Sequence, residues 1–274
     1  MSAMIRRSPL VAFFVLAYAF TWALWIPAAP FLQGLYRGEF PVAALLVAVI
    51  GAYGPTAAAL VVTRAQGGKG GVKRLLSHFL VWRVGARWYA LLVLTPLALT
   101  GCAVALNVLI GGQAPTGMDP SRWYMLPLVL LSGLPFGPLA EETGWRGFAL
   151  PRLQARFGPL PASVLLGLAW GLWHLPAFFI PGVALAGGAT GDPGLIAWYV
   201  LDTVAVTIFF TWVYNNTRGS LLVDVLFHAA INTMPAFLLS MVYPGLAGGE
   251  VVYRTVHLSA IVLIAATGGR LSYK

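Results

Sequence analysis

Charge is what this chain has least of. Of its 274 residues only 9% are Asp, Glu, Lys or Arg, while 59% are apolar. A soluble domain carries roughly 25% charged residues. A water-facing surface for a chain of this length cannot be built from so few. The scarcity excludes an ordinary soluble domain, and the apolar surplus has to face lipid. Acidic residues are scarcer than basic ones, 8 against 17 Lys and Arg, for a net charge of +9. Cysteine is nearly absent. Cys102 stands alone, so no internal disulfide can form and the redox compartment is not readable. Its place in an apolar run reads as a small buried residue rather than a reactive thiol. No HExxH helix occurs, which excludes the commonest zinc-protease signature. No low-complexity segment or internal repeat marks the chain as an array.

What the sequence does have is long apolar runs. They fall at about 9–32, 41–63, 88–111, 122–140, 160–181, 195–214, 219–241 and 251–268, the last being the shortest. About 20 apolar residues suffice for a helical span. The pattern predicts an all-α, polytopic transmembrane helical bundle of about eight spans, with residues 1–274 forming a single membrane domain. The basic start followed by an apolar stretch resembles a signal peptide, but Pro9 to about Leu32 is too long for a usual apolar core. It reads as an uncleaved first span. The longest connection runs from Arg64 to Arg87 and contains AQGGKGGVKR. Its LLSHFLVWRVG stretch is read as an interfacial amphipathic helix.

Placing the charges gives the bundle a direction. With the N-terminus in the cytoplasm and sides alternating, one side collects Arg6, Arg7, Arg64, Lys69, Lys73, Arg74, Arg83, Arg87, Arg146, Arg152, Arg156, Arg218, Arg270 and Lys274. The other collects Arg37, Arg122 and Arg254. Cytoplasmic loops carry the Lys/Arg excess, so this asymmetry predicts an even number of spans with both termini cytoplasmic. It also accounts for the basic balance without nucleic acid, for which no zinc-finger, helicase or RNA-binding pattern is present.

Polar side chains inside spans are expensive, and each asks for a reason. Glu141-Glu142-Thr143-Gly144-Trp145-Arg146 falls at the cytoplasmic end of the fourth run. Glu142 and Arg146 are four apart and can pair on one helix face. The two Glu point about 100° apart, so one can face a site while the other is held structurally. A charged interface cap is the competing reading. His174 lies inside the fifth run, in Trp170-Gly-Leu-Trp173-His174, and a lone histidine there is commonly a hydrogen-bonded structural residue. His228 and Asn232, four apart in the seventh run, stack on one face and can equally serve as interhelical glue. Asp224 is read as a partner for Arg218 near the interface, and Asp202 as a structural hydrogen-bonding group.

Jointly, the fourth, fifth and seventh runs supply a carboxylate, two imidazoles and an amide near the cytoplasmic half. A carboxylate can take a proton from water, and a His or Asn donor can stabilise the oxyanion that forms. The same residue types can also hold a catalytic zinc, through Glu141, His174 and His228, because three-ligand sets include two His and a Glu. Both chemistries stay open at this point.

At these residues the chain resembles the type II CAAX prenyl endopeptidase and bacteriocin-processing family, the CPBP or abortive-infection membrane proteases. Its EExxxR motif is met by Glu141, Glu142 and Arg146. Its FxxxH motif is met by Trp170 and His174, with Trp in place of Phe, and its HxxxN motif by His228 and Asn232. The resemblance covers about 120–240, a CAAX-protease-like catalytic core. It implies an intramembrane endopeptidase in which Glu141 activates water with His174. His228 and Asn232 would form the oxyanion site, Arg146 would orient the Glu pair, and Glu142 would act behind them or as an alternate acid. Family members are often called metalloproteases, and a metal-free glutamate mechanism is also proposed for them, so Zn2+ is a candidate cofactor only. The implied partners are the lipid bilayer and a peptide or protein substrate, lipid-modified ones included, in a plasma membrane. Two other classes compete: a non-catalytic scaffold or immunity protein of the same fold, and a transporter. A transporter would spread its polar residues through both membrane halves, whereas here they gather on one side.

Overall fold

A backbone in lipid must satisfy its own N–H and C=O groups, and a helix does so within the segment. The computed structural model describes residues 5, 7–36, 42–112, 114–115, 117, 119–180, 191–242 and 250–273, and among these it holds helices and no strand. Of the charges counted above, Arg6, Arg37 and Lys274 lie outside the described residues, as do the run ends at positions 41 and 181. The helices are α1 (Pro9–Tyr36), α2 (Val42–Ala52), α3 (Gly54–Ser77), α4 (Ala86–Leu109), α5 (Leu126–Gly133), α6 (Pro138–Gly144), α7 (Leu150–Phe157), α8 (Pro159–Trp173), α9 (Pro193–Asn216), α10 (Leu221–Val242) and α11 (Glu250–Thr267). The chain is an all-α helical bundle.

Among the described residues five helical segments are long and apolar enough to cross a membrane. Two bent pairs bring the number to seven, with bends of 45° between α2 and α3 and 47° between the segments on either side of Gly137. The eighth apolar run forms α11, whose apolar part, Thr255–Thr267, is shorter than a span.

Three sequence expectations are corrected. The connection expected from Arg64 is helical through Ser77, broken only at Gly68, whose φ of 60° and ψ of −157° lie outside the helical region. Glycine takes a positive φ without a steric penalty, so the flanking residues stay helical while the chain bends. The expected amphipathic helix over LLSHFLVWRVG ends at Leu80. The carbonyls of Val81, Trp82 and Arg83 accept instead from Ser220, Tyr89 and Arg218 side chains, which ties this strip to the start of α10. Cys102, expected to be buried, is exposed on α4. On a helix bathed in lipid the outer face is as apolar as the core, so an apolar run does not reveal which face a residue occupies.

The site is positioned by close helix packing. α9 lies along α8, α3 packs on α1 and α6, and α10 packs on α4, α5 and α6. A β-carbon at Gly167 of α8 would lie 2.5 Å from Val204 Cα, and one at Gly171 would lie 3.0 Å from Val200 Cα. The GLAWG spacing therefore lets α8 and α9 approach backbone to backbone, the usual role of small residues four apart in membrane helices. Between α6 and α7 the chain winds as a π-helix over Trp145–Ala149. Phe13, Trp145, Phe148, Trp173, Phe210 and Phe227 fill the core around it.

Candidate active site

The fourth apolar run does not continue as one helix into the Glu pair. It breaks at Gly137, and α6 restarts with Pro138 at its first turn, where the missing N–H forfeits no helical bond. Glu141 and Glu142 thus sit one turn into a new, buried helix. They are 4% and 0% exposed, which argues against the competing reading of a charged cap at the membrane interface.

The two carboxylates face different partners, as the 100° offset along a helix predicts. Glu141 Oε2 accepts from the indole N–H of Trp170 at 2.5 Å and of Trp145 at 3.3 Å. Glu142 Oε1 accepts from Arg146 Nη1 at 2.9 Å and lies 2.6 Å from His228 Nδ1. The expected i,i+4 pair is therefore present, and it is fully buried. The Arg146 guanidinium lies 4.4 Å from the Trp170 ring centre and 3.8 Å from that of Phe210, a cation–π enclosure out of contact with water.

Both imidazoles have one nitrogen assigned. His174 caps the C-terminus of α8, where Pro176 two residues later stops the helix. Its Nδ1 lies 2.9 Å from the Trp170 carbonyl. A carbonyl can only accept, so Nδ1 carries the proton and Nε2 of the neutral ring is left with a lone pair. His228 Nδ1 donates in the same way to Glu142. This carboxylate fixes the ring's tautomer and orientation, as a hydrogen-bonded carboxylate does for a catalytic or ligating histidine.

The free ends of three groups meet at Gly137. A β-carbon there would lie 3.3 Å from Glu141 Oε1, 3.7 Å from His228 Nε2 and 3.8 Å from Asn232 Nδ2. A carboxylate oxygen, an imidazole nitrogen and an amide nitrogen thus surround a space about the size of one small group. That space opens on a cavity of about 630 Å3 that His174, Tyr199 and Asp202 also line, with mostly apolar walls such as Leu99, Ala103 and Val206. The structure therefore brings Glu141, His228 and Asn232 together, places His174 on the same cavity, and sets Glu142 and Arg146 behind His228.

Sequence reasoning missed Gly137 and the two indole donors. The FxxxH comparison treats Trp170 as an aromatic wall, whereas its N–H holds Glu141 in place, which a Phe cannot do. Trp170→Phe is expected to keep the fold and to slow turnover by about tenfold, the worth of one hydrogen bond to a charged group. Turnover and thermal unfolding of the purified variant check this together. Gly137→Ala is expected to cost about 10²-fold in turnover, because a methyl would occupy the space on which the three groups converge. An unchanged melting temperature would separate this loss from misfolding.

One further expectation is corrected. Asp224 does not pair with Arg218. It is fully buried, and neither of its carboxylate oxygens has a hydrogen-bond partner, while Arg218 donates to the Arg83 carbonyl. Starting α10 at Leu221 turns Asp224 inward, away from the connection that carries Arg218. Asp202 Oδ1 is buried without a hydrogen-bond partner. Among the described residues no three His, Cys, Asp or Glu side chains are gathered so as to hold a metal ion. Glu141, His174 and His228 as placed do not fit a three-ligand zinc centre.

Comparison with known proteins agrees with the motifs. Residues 123–234 match the family model described as type II CAAX prenyl endopeptidase Rce1-like. The CAAX prenyl protease 2 of Methanococcus maripaludis is 33% identical over 92 residues, which is 34% of this chain and 34% of that protein. The match thus spans about a third of the length of that curated relative. The family-model match contains Glu141, Glu142, Arg146, Trp170, His174, His228 and Asn232, and over that stretch the chain is similar to the Rce1-like, type II CAAX prenyl endopeptidases.

Proposed function

We propose that the chain is a membrane-embedded endopeptidase that hydrolyses a peptide bond near the cytoplasmic face with water activated by Glu141 and His174. The observation that carries this reading is the convergence of Glu141 Oε1, His228 Nε2 and Asn232 Nδ2 beside Gly137, at the edge of a largely apolar cavity. A water between Glu141 and the substrate carbonyl gives a proton to Glu141 Oε1. The resulting hydroxide adds to the carbonyl carbon. The oxyanion takes a hydrogen bond from the Asn232 amide, and a second from His228 Nε2 when that ring is the imidazolium paired with Glu142. The C–N bond then breaks as the proton held at Glu141 passes to the leaving nitrogen. His174 Nε2, a lone-pair acceptor, orients the water. Arg146 and Glu142 hold His228.

The domain reading is one membrane unit whose core runs from 120 to 240, in a plasma membrane, with both termini cytoplasmic as the charge asymmetry favours. The substrate is a peptide or protein segment, and the apolar cavity suits an extended apolar stretch. The relative's name brings lipid-modified CAAX tails into this class. Nucleic acid has no place in the reading. His174→Ala is expected to abolish cleavage in proteoliposomes while leaving thermal unfolding unchanged. Retained cleavage by that purified variant would overturn the role given to His174.

A further inference from the structure

A second cavity, of about 520 Å3, lies on the basic side of the protein and belongs to none of the chemistry above. It sits between the bend of α3, Gly147 of the π-helical turn, and Arg152 of α7, and it is lined by Thr63, Gln66, Arg74, His78 and Arg152 among others. No carboxylate lines it among the described residues. The chain has no acidic residue between Arg64 and Arg87, a stretch that also carries Lys69, Lys73, Arg74 and Arg83. The ion pairs found among the described residues both involve Glu142, so neither Arg74 nor Arg152 has a carboxylate partner there.

This cavity is more than a charged surface. Arg152 is pinned, with Nη1 donating to the Phe148 carbonyl at 2.9 Å and its guanidinium 3.7 Å from the Phe148 ring centre. Guanidinium groups fold back over the glycines of the bend. A β-carbon at Gly67 would lie 3.6 Å from Arg74 Nη2, and one at Gly68 would lie 3.5 Å from Arg64 Nη1. Thr63 is 8% exposed, and its hydroxyl is buried with no hydrogen-bond partner. An unpaired buried hydroxyl is costly, and here Thr63 lines the same cavity as two guanidinium groups without a carboxylate partner.

We propose that this cavity binds a phosphate-bearing anion, held by Arg74 and Arg152 and by the Thr63 hydroxyl. Arg presents a planar fork of donors that matches phosphate oxygens. Basic pockets between membrane helices on the cytoplasmic side take anionic headgroups. The phosphate can come from a lipid headgroup or from a soluble phosphate, and the two sources are separable.

The test uses the purified full chain in neutral detergent. Binding of phosphatidylglycerol and of phosphatidylcholine is followed by native mass spectrometry, and pyrophosphate is added as a competitor. Wild type is expected to prefer phosphatidylglycerol. The Arg74→Gln/Arg152→Gln double variant should bind it about tenfold more weakly or worse, the loss expected for charge-assisted contacts to phosphate. Thr63→Val should weaken binding about threefold, in line with one hydroxyl hydrogen bond. Arg156→Gln, a basic residue outside the cavity, should leave binding unchanged. Displacement of the lipid by pyrophosphate assigns the site to phosphate itself, and retention assigns it to the lipid headgroup. Equal binding by wild type and the double variant, or an equal loss in Arg156→Gln, overturns the proposal. So does a wild type that holds neither probe. If the double variant does not fold, unchanged binding by Thr63→Val overturns it.

Discussion

Glu141→Gln removes cleavage, with turnover expected to fall by about 10²–10⁴-fold, the range for loss of a positioned general base. The substitution keeps the size of the side chain, so the surrounding packing is undisturbed. Its chemistry at the site is inverted. Glu141 Oε2 receives the indole N–H groups of Trp170 and Trp145, and only the amide oxygen of a glutamine can accept both. The amide nitrogen then occupies the Oε1 position beside Gly137, where it presents a donor in place of the acceptor that takes the proton of water. Glu141→Gln should therefore fold with a wild-type melting temperature and show that loss of turnover. Wild-type turnover in this variant would remove Glu141 from the chemistry.

Arg146→Leu is expected to destabilise the protein by about 3–5 kcal/mol, the cost of breaking a buried ion pair from one side. Arg146 and Glu142 are both 0% exposed and 2.9 Å apart. Removing the guanidinium leaves the Glu142 carboxylate with His228 Nδ1 as its partner among the described residues, with Glu142 Oε2 already lacking any. It also deprives the Trp170 and Phe210 rings of the cation between them. The double variant Arg146→Leu/Glu142→Gln should recover part of the loss, because no uncompensated charge remains. Thermal unfolding of the two single variants and the double variant gives the coupling. Strictly additive losses would mean that the pair does not act as a unit.

The parts of this architecture governed by local rules were legible in the sequence. Apolar runs of spanning length became helices because a backbone in lipid has few alternatives. The Glu142–Arg146 pair followed from i,i+4 spacing, and the divergence of the two Glu from helical geometry. The motif residues gather at one cavity because His228 and Asn232 share a face of α10 while Trp170 and His174 share the end of α8. What depends on how helices meet was not legible. The break at Gly137–Pro138 lies within a continuous apolar run, so hydropathy passes over it. The indole N–H of Trp170 found Glu141 only because α8 lies against α6 and the π-helical turn. Asp224 was assigned to Arg218 on proximity in sequence, whereas the start of α10 turns it into the core. The glycines after Gln66 read as a loop, although one non-helical residue was enough to bend the chain.

Peptide-bond hydrolysis in this cavity is measured by incubating wild-type proteoliposomes with a peptide library in H218O and reading the products by mass spectrometry. Cleavage is expected at a defined set of bonds, with one labelled oxygen in each new carboxyl group. Folded wild-type protein that leaves every peptide intact would contradict that expectation.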